Sequence, residues 1–189
     1  MRLQTPSQTI GPFFHMAMLR EGMNDLTASA PIGQRIIVEG RVLDGDEMPV
    51  ADALLEIWQA NAAGRYDHPE DTQDQPLDPN FHGFGRVASD AEGRFHFRTI
   101  KPGSVGTQAD RQAPHINLSI FARGLLKRLV TRTYFADESL NASDPVLSVL
   151  TEPARRDTLI ARRITSSVEP VYHFDIVLQG LGETVFFEI

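Results

Sequence analysis

The run of residues 115–123 alternates largely polar with apolar side chains, and it constrains the fold more than any other stretch of the chain. Successive side chains of an extended strand point to opposite faces, so this alternation predicts a strand with one buried face. The predicted core face carries Ile116, Leu118, Ile120 and Ala122, and the other face carries His115, Asn117, Ser119, Phe121 and Arg123. A sheet protein is therefore the starting hypothesis, with His115 and Asn117 side by side.

Further strand-like runs, rich in β-branched and aromatic residues, are separated by turn signals that 12 Pro and 14 Gly help to form. Besides the run at His115, the predicted strands are 35–44, 53–60, 83–90, 94–100, 128–135, 171–178 and 184–189. Turn sequences at 44–47 and 91–93 predict that the strands on either side of each turn form a hairpin. About eight strands with long loops indicate an all-β fold, a β-sandwich, with an up-and-down barrel as the alternative.

Helix signals are confined to two places in the C-terminal part of the chain. Asp144 followed by Pro145 supplies an N-cap residue and a first helical residue, which predicts one helical turn through Leu150. Pro153 begins a second predicted helix, which extends to about Arg163. The sandwich is therefore expected to carry one or two short helices.

The predicted domain organisation is a single β-sandwich domain over residues 1–189 with an N-terminal arm over about 1–34. Residues 5–14 contain too much Pro and Gly for a regular element, yet they carry one Ile and two Phe. Such a segment is expected to dock on a surface. Either it packs on its own domain, or Thr9 and the backbone at Gly11-Pro12 line a ligand pocket.

The net charge of −7 and the pI near 5.3 argue against a nucleic acid or a membrane as partner, because anionic surfaces attract clustered positive charge. An acidic small molecule would need a local Arg instead. The absence of Cys excludes disulfides, thiolate chemistry and Cys-based metal sites. No run resembles a signal peptide or approaches the roughly 20 apolar residues of a membrane span. The expectation is a soluble protein of the cytoplasm.

A metal site is one possible use for the polar face of the His115 strand. A His-x-His pair on a strand can chelate one ion, but the second position is Asn117 here. The long acidic loop 61–82 holds Tyr66, which is either a capped loop aromatic or a phenolate ligand for a hard metal such as ferric iron. Trp58, just before this loop, is interpreted as a core anchor. The remaining candidates lack a chelating spacing and are more simply explained as surface or structural residues: His68, His82 and His96.

Six segments carry a resemblance to a known family, and they occur in the family's order from about residue 5 to residue 189. They are TPSQTIGPFF, WQANAAGRYDHPED, DPNFHGFGR, FRTIKPG, APHINLSIFARG and QGLGETVFFEI. With these segments the sequence resembles the intradiol ring-cleaving dioxygenases, and among them the α subunits of members built from α and β chains. The resemblance implies a β-sandwich and an enzyme that inserts both atoms of dioxygen between the two hydroxyls of a catechol.

The resemblance also implies a vestigial metal pocket. In the family, two Tyr and two His hold a ferric ion, and Tyr66 and His115 match one of each. Val105 stands in place of the second Tyr and Asn117 in place of the second His, and neither supplies a phenolate or an imidazole. Gln112 replaces an Arg that is usual in the family, so an expected positive charge near the substrate is missing. The implication is that this chain binds no metal and that Fe(III) belongs to a partner β subunit.

The resemblance implies α/β heterodimers within a larger oligomer, in which α residues complete the substrate pocket beside the iron of the β subunit. The implied substrate is a small aromatic acid, a catechol that carries a carboxylate. The positions that match substrate-contacting positions of α subunits are Thr9, Gly11, Pro12 and Arg123, with Phe13 in place of a Tyr that is common there.

Arg123 lies eight residues from His115, and at about 3.3 Å per residue an extended run separates them by roughly 26 Å. Arg123 therefore cannot serve a pocket centred on His115 in its own chain. It would either present its guanidinium to an anionic ligand in a neighbouring subunit or form a surface ion pair. Two other hypotheses stay open: a β-sandwich interaction module with an inherited, non-functional metal pocket, and a self-sufficient metalloenzyme that uses Tyr66, His115 and further ligands.

Overall fold

Strands make up most of the regular structure in this computed structural model, which describes residues 8–11, 14–107, 109–164 and 169–188. The strands are β1 Arg35–Leu43, β2 Leu54–Gln59, β3 Phe84–Ala88, β4 Arg94–Ile100, β5 His115–Phe121, β6 Leu129–Phe135, β7 Ile160–Arg163, β8 Val171–His173 and β9 Ile176–Val177. The helices are α1 Phe14–Met18, α2 Pro145–Val149 and α3 Pro153–Asp157, with a 3-10 helix at Ser139–Ser143. Within the described ranges, no helix is long and apolar enough to cross a membrane. The expected all-β fold is confirmed.

The strands form one continuous sheet in the order β3-β2-β5-β6-β7-β8-β1-β4, with β9 paired to β1. Side chains from both ends of this path meet in one core, so the sheet folds over into a nearly closed, barrel-like sandwich. The core includes Ile36, Val38, Leu55, Ile57, Phe95, Phe97, Ile116, Leu118 and Ile120. The predicted core face of β5 is therefore confirmed, and each such fully buried aliphatic side chain stabilises the fold by about 1.5–3 kcal/mol.

Both predicted hairpins are wrong, although both turns exist. The Oδ1 of Asp44 accepts from the N–H of Asp46 at 2.9 Å, and the Oδ1 of Asp90 accepts from the N–H of Arg94 at 2.8 Å. After each turn, however, the chain crosses to the other layer, because β1 pairs with β4 and β8 whereas β2 pairs with β3 and β5. A turn sequence determines where the chain reverses, but burial of apolar faces in two opposed layers determines which strands pair.

Helix α3 is shorter than predicted. It begins at Pro153, as expected, but ends at Asp157 rather than near Arg163. The following residues form β7, which pairs in parallel with β6 and antiparallel with β8. Sheet pairing thus overrides the local helical signal, and β7 becomes the link between the two layers.

The last two predicted strands are only partly right. Residues 171–178 split into β8 and β9 around Phe174, whose N–H donates to a carbonyl of β1 at 2.8 Å. The described part of the predicted strand 184–189 forms no strand. Within this segment, Phe186 packs on the main core and Phe187 packs on a second apolar cluster.

Asp144 joins α2 to the segment that leads into His115. The predicted N-cap is confirmed, since Oδ1 accepts from the N–H groups of Val146 and Leu147, both at 2.9 Å. Its Oδ2 accepts from the N–H of Ala113 at 2.7 Å. Asp144 is fully buried, so three N–H donors compensate for the loss of water around the carboxylate. This one side chain therefore fixes the start of β5 against α2.

Candidate functional site

Tyr66 and His115 meet in one pocket, with the Oη of Tyr66 3.3 Å from the Nε2 of His115. Gly64, near the start of loop 61–82, makes this approach possible. It has a φ of +87°, and a Cβ there would lie 2.0 Å from the carbonyl oxygen of Ser104. Only glycine lets the loop pack this closely on the turn after β4. The structure thus brings together two of the residues that the sequence singled out.

His115 is neutral and has a defined tautomer. It is 1% exposed, and burial, followed by the positive charge of Arg132, lowers its pKa to about 4. Its Nδ1 lies 2.8 Å from the carbonyl oxygen of Ala113, so Nδ1 carries the hydrogen and Nε2 has a free lone pair. That lone pair accepts from the hydroxyl of Tyr66. Burial also raises the pKa of the Tyr66 phenol, so neither ring is charged at pH 7.

Asn117 places an amide beside the phenol of Tyr66. Its Nδ2 donates to the Oη of Tyr66 at 3.0 Å and to the carbonyl oxygen of Trp58 at 3.2 Å. Its Oδ1 accepts from the Nε of Arg132 at 3.0 Å. A carbonyl acceptor on one side and a guanidinium donor on the other determine the orientation of the amide. An N–H group, rather than a lone pair, therefore faces the phenol oxygen.

Arg132 is the residue of this pocket that sequence reasoning missed. It lies on β6 directly opposite Asn117, and its Nη1 donates to the Oε1 of Gln112 at 2.7 Å. The same nitrogen lies 3.4 Å from the hydroxyl oxygen of Tyr134, and the guanidinium carbon lies 6.0 Å from the centre of the Phe187 ring. Gln112 carries no charge, but the neighbouring strand brings the guanidinium of Arg132 against it. The register between β5 and β6 would have revealed it, but residue spacing does not give that register.

Val105 lies beside Gln112, and the two residues exchange backbone hydrogen bonds of 2.8 and 3.2 Å. These bonds hold the turn after β4 against the segment before β5. The side chain of Val105 is aliphatic and half-buried, so it offers no ligand atom where the family pattern implies a Tyr. The structure thus places residue 105 next to Gln112, which is itself bonded to Arg132.

The pocket does not fit the ferric ion of the intradiol family. Ferric iron requires anionic oxygen donors and free lone pairs. Here the neutral phenol of Tyr66 is hydrogen-bonded to His115, and the amide of Asn117 donates an N–H to the same phenol oxygen. Arg132 adds a fixed positive charge to this hydrogen-bond network, and the side chain of Val105 has no atom that could bind a metal ion. Across the part of the chain that the structure describes, no group of three or more His, Asp or Glu side chains could hold a metal ion.

Trp58 is not the core anchor that the sequence suggested. It is half-buried and stacks on Tyr66, with ring centres 5.5 Å apart and ring planes at 24°. The ring of His68 meets Trp58 edge-on at 6.4 Å. His82 lies on the surface, with its Nδ1 2.6 Å from the Oδ2 of Asp67. The indole therefore forms a wall beside Tyr66, and the two histidines have roles that require no metal.

The described part of the N-terminal arm contacts its own chain where β5 ends. The Oγ1 of Thr9 accepts from the N–H of Gly124 at 2.7 Å. The carbonyl oxygen of Gly11 accepts from the N–H of Phe14 at 3.1 Å, in the turn that leads into α1. The ring of Phe14 then packs on Phe121, with ring centres 5.4 Å apart. Sequence reasoning missed α1, whose five residues are too few for a periodic pattern.

Arg123 lies beside this contact, at the end of β5 opposite to His115. Its side chain is 59% exposed, and its Nη2 lies 3.6 Å from the Oδ2 of Asp52. The surface ion pair considered in the sequence analysis therefore exists, in a loose and solvated form. Pro12 and Phe13, the other two candidate substrate contacts, lie outside the described residues.

Proteins of similar sequence and structure cover nearly the whole chain. A family model described as Dioxygenase matches residues 10–180. The chain is 42% identical to the protocatechuate 3,4-dioxygenase alpha chain of Pseudomonas putida, over 98% of this chain and 96% of that protein. It is 45% identical to the protocatechuate 3,4-dioxygenase beta chain of Burkholderia cepacia, over 94% of this chain and 77% of that protein. The solved dioxygenase domain of a carbohydrate-binding fusion protein from Streptomyces sp. SirexAA-E superposes with a TM-score of 0.63 at 28% identity, over 93% of this chain and 98% of that domain.

Proposed function

Because this chain belongs to the intradiol dioxygenase family, we propose that it is the α subunit of a protocatechuate 3,4-dioxygenase, which completes the substrate pocket of an iron-bearing β subunit. The reaction opens 3,4-dihydroxybenzoate between its two hydroxyl-bearing carbons. Both atoms of one dioxygen molecule enter the product, 3-carboxy-cis,cis-muconate. Fe(III) belongs to the β subunit, and this chain alone is inactive.

The side chains around Tyr66, which lack two of the four metal ligands of the family, are the observation that carries the proposal. Overall identity does not separate the two kinds of subunit, since the values are 42% to an alpha chain and 45% to a beta chain. A catalytic subunit of this family needs two Tyr and two His as ligands. In this chain, Asn117 directs an N–H at the phenol oxygen, and Arg132 brings a positive charge into the network. Such a pocket suits the non-catalytic subunit.

The contribution of this chain to the substrate pocket would come from Arg123 and the arm at Thr9. The pair between Arg123 and Asp52 is exposed on both sides, and such pairs contribute only about 0–1 kcal/mol. A substrate carboxylate in a desolvated pocket can accept two parallel hydrogen bonds from a guanidinium, which is a much stronger contact. Arg123 would therefore exchange Asp52 for the substrate when the β subunit covers this surface.

The proposal includes the assembly and the cellular setting. The α and β chains form heterodimers within a larger oligomer, and the relatives are themselves designated alpha and beta chains. The single-domain organisation is supported by one sheet that takes strands from Arg35 to Val177. The partners are the β subunit and a small aromatic acid, without nucleic acid or membrane, and the compartment is the cytoplasm.

Co-expression with a candidate β chain tests the proposal. We expect the two chains to purify together and to consume oxygen when protocatechuate is added. The same β chain produced alone is the control. Equal affinity and turnover with and without this chain would contradict the proposal and would favour a β-sandwich interaction module instead.

A further inference from the structure

We propose that Arg132 is a built-in cation that stands in for the metal ion of this pocket, and that it excludes metal even when the lost ligands are restored. The proposal concerns this chain alone and does not depend on the partner subunit. It assigns the loss of metal binding to three positions, namely Val105, Asn117 and Arg132, rather than to the first two.

Arg132 is surrounded by oxygen acceptors, as a metal ion would be. Its Nε donates to the Oδ1 of Asn117 at 3.0 Å, and its Nη1 donates to the Oε1 of Gln112 at 2.7 Å. The hydroxyl oxygen of Tyr134 lies 3.4 Å from the same Nη1 and 3.4 Å from the Oδ1 of Asp144. Tyr134 thus lies between the guanidinium and the carboxylate of Asp144. Among the described residues, the side chains that accept directly from Arg132 are neutral.

The guanidinium of Arg132 also determines which hydrogen bonds are made by Tyr66 and His115, the two residues that match metal ligands of the family. Because Arg132 occupies the Oδ1 of Asn117, the amide must turn its Nδ2 toward Tyr66. The phenol of Tyr66 then accepts from Asn117 and keeps its own hydrogen for the Nε2 of His115, 3.3 Å away. The chain of bonds from Arg132 to His115 therefore occupies the lone pair of the His115 Nε2 and one lone pair of the Tyr66 oxygen, both of which a metal ion would need.

Electrostatic repulsion makes the exclusion independent of ligand number. A guanidinium does not lose its proton in proteins, so its charge is permanent. Like charges a few ångströms apart repel strongly where water is scarce. Arg132 stays opposite position 117 in the β5–β6 register whichever side chain is placed there. A ferric ion bound at residues 66, 105, 115 and 117 would lie beside this charge.

The test compares three variants of the purified chain. The first carries Val105→Tyr and Asn117→His, the second adds Arg132→Gln, and the third adds Arg128→Gln instead, at an exposed Arg of the preceding loop. We expect the second variant to bind ferric iron and to show the visible absorption of a tyrosinate-to-iron bond. The first and third should bind at least about 100-fold more weakly, because each keeps the repelling charge. Equal binding by the first and second variants would overturn the proposal.

A simpler pair of variants serves if the Tyr at residue 105 prevents folding. Asn117→His with Arg132→Gln, compared with Asn117→His alone, leaves three side chains that can bind cobalt(II): those of Tyr66, His115 and residue 117. We expect visible cobalt absorption only in the variant without the guanidinium. Near-ultraviolet circular dichroism establishes that both variants are folded. Folded variants that lack Arg132 and still bind no metal would overturn the proposal, because the pocket would then be closed for another reason.

Discussion

The N–H of Gly124 donates a hydrogen bond to the Oγ1 of Thr9 at 2.7 Å, across 115 residues of sequence. This bond places the N-terminal arm next to Arg123. The family resemblance assigned both Thr9 and Arg123 to substrate contact without any information on their separation. Their proximity in the fold gives the proposed substrate-binding surface a physical basis, because one bond between side chain and backbone holds its two parts together.

Thr9→Val should release the arm from β5, since valine keeps the shape of threonine but offers no acceptor. The loss of one hydrogen bond of this kind corresponds to about 1 kcal/mol, or about fivefold in the local opening equilibrium. Hydrogen exchange of the Gly124 amide would therefore be faster in the Val variant. Thr9→Ser is the control and should keep the natural exchange rate. Equal protection in all three proteins would show that the bond does not hold the arm.

Asp144 should be among the most sensitive residues of the fold. Asp144→Asn keeps the acceptor for the α2 cap but turns an N–H toward the N–H of Ala113, so the free energy of unfolding should fall by about 1–3 kcal/mol. Asp144→Ala removes the three bonds from backbone N–H groups and the contact with the hydroxyl of Tyr134, so it should be more destabilising than the Asn variant. Urea unfolding measures both, with the exposed Asp157→Asn as control. A change of less than about 0.5 kcal/mol in Asp144→Asn would contradict this account of the residue.

His115 should make the protein less stable in acid. Its pKa is lowered from 6.5 to about 4 by burial, so the unfolded chain binds more protons than the folded chain between these pH values. The contribution of His115 to the free energy of unfolding is fully present above pH 6.5. It is lost as the pH falls toward 4, by about 3 kcal/mol in total. His115→Gln should remove this part of the pH dependence in urea unfolding, whereas the exposed His96→Gln should not. An unchanged slope in His115→Gln would contradict the assignment.

Sequence reasoning predicted those parts of the fold that depend on local patterns. The alternation in β5 gave its buried face, and Asp144-Pro145 gave the start of α2, because side-chain periodicity and capping are local properties. The partners of β1 and β2 could not be predicted in this way. The same turn sequence can join two strands of one layer or carry the chain between layers, and the burial of distant apolar faces decides between the two.

The candidate site shows the same limit. Tyr66 and His115 followed from motifs, and the structure places them 3.3 Å apart. Arg132 could not be found, because a single Arg among the polar residues of β6 has no motif of its own. Its role comes from the register that sets it opposite Asn117, which is a property of strand pairing.

Steady-state kinetics of Arg123→Ala in the assembled enzyme tests the central claim, that this chain binds the carboxylate of the substrate, most directly. The loss of a charge-assisted hydrogen bond in a desolvated pocket costs about 1.5–3 kcal/mol, so KM for protocatechuate should rise about 10- to 100-fold. KM for catechol, which has no carboxylate, should hardly change. Arg123→Lys should recover part of the affinity, because it restores the charge without the planar fork, and the exposed Arg128→Ala should behave as the natural enzyme. Equal losses on both substrates in Arg123→Ala would contradict the claim and would mean that Arg123 maintains the subunit interface.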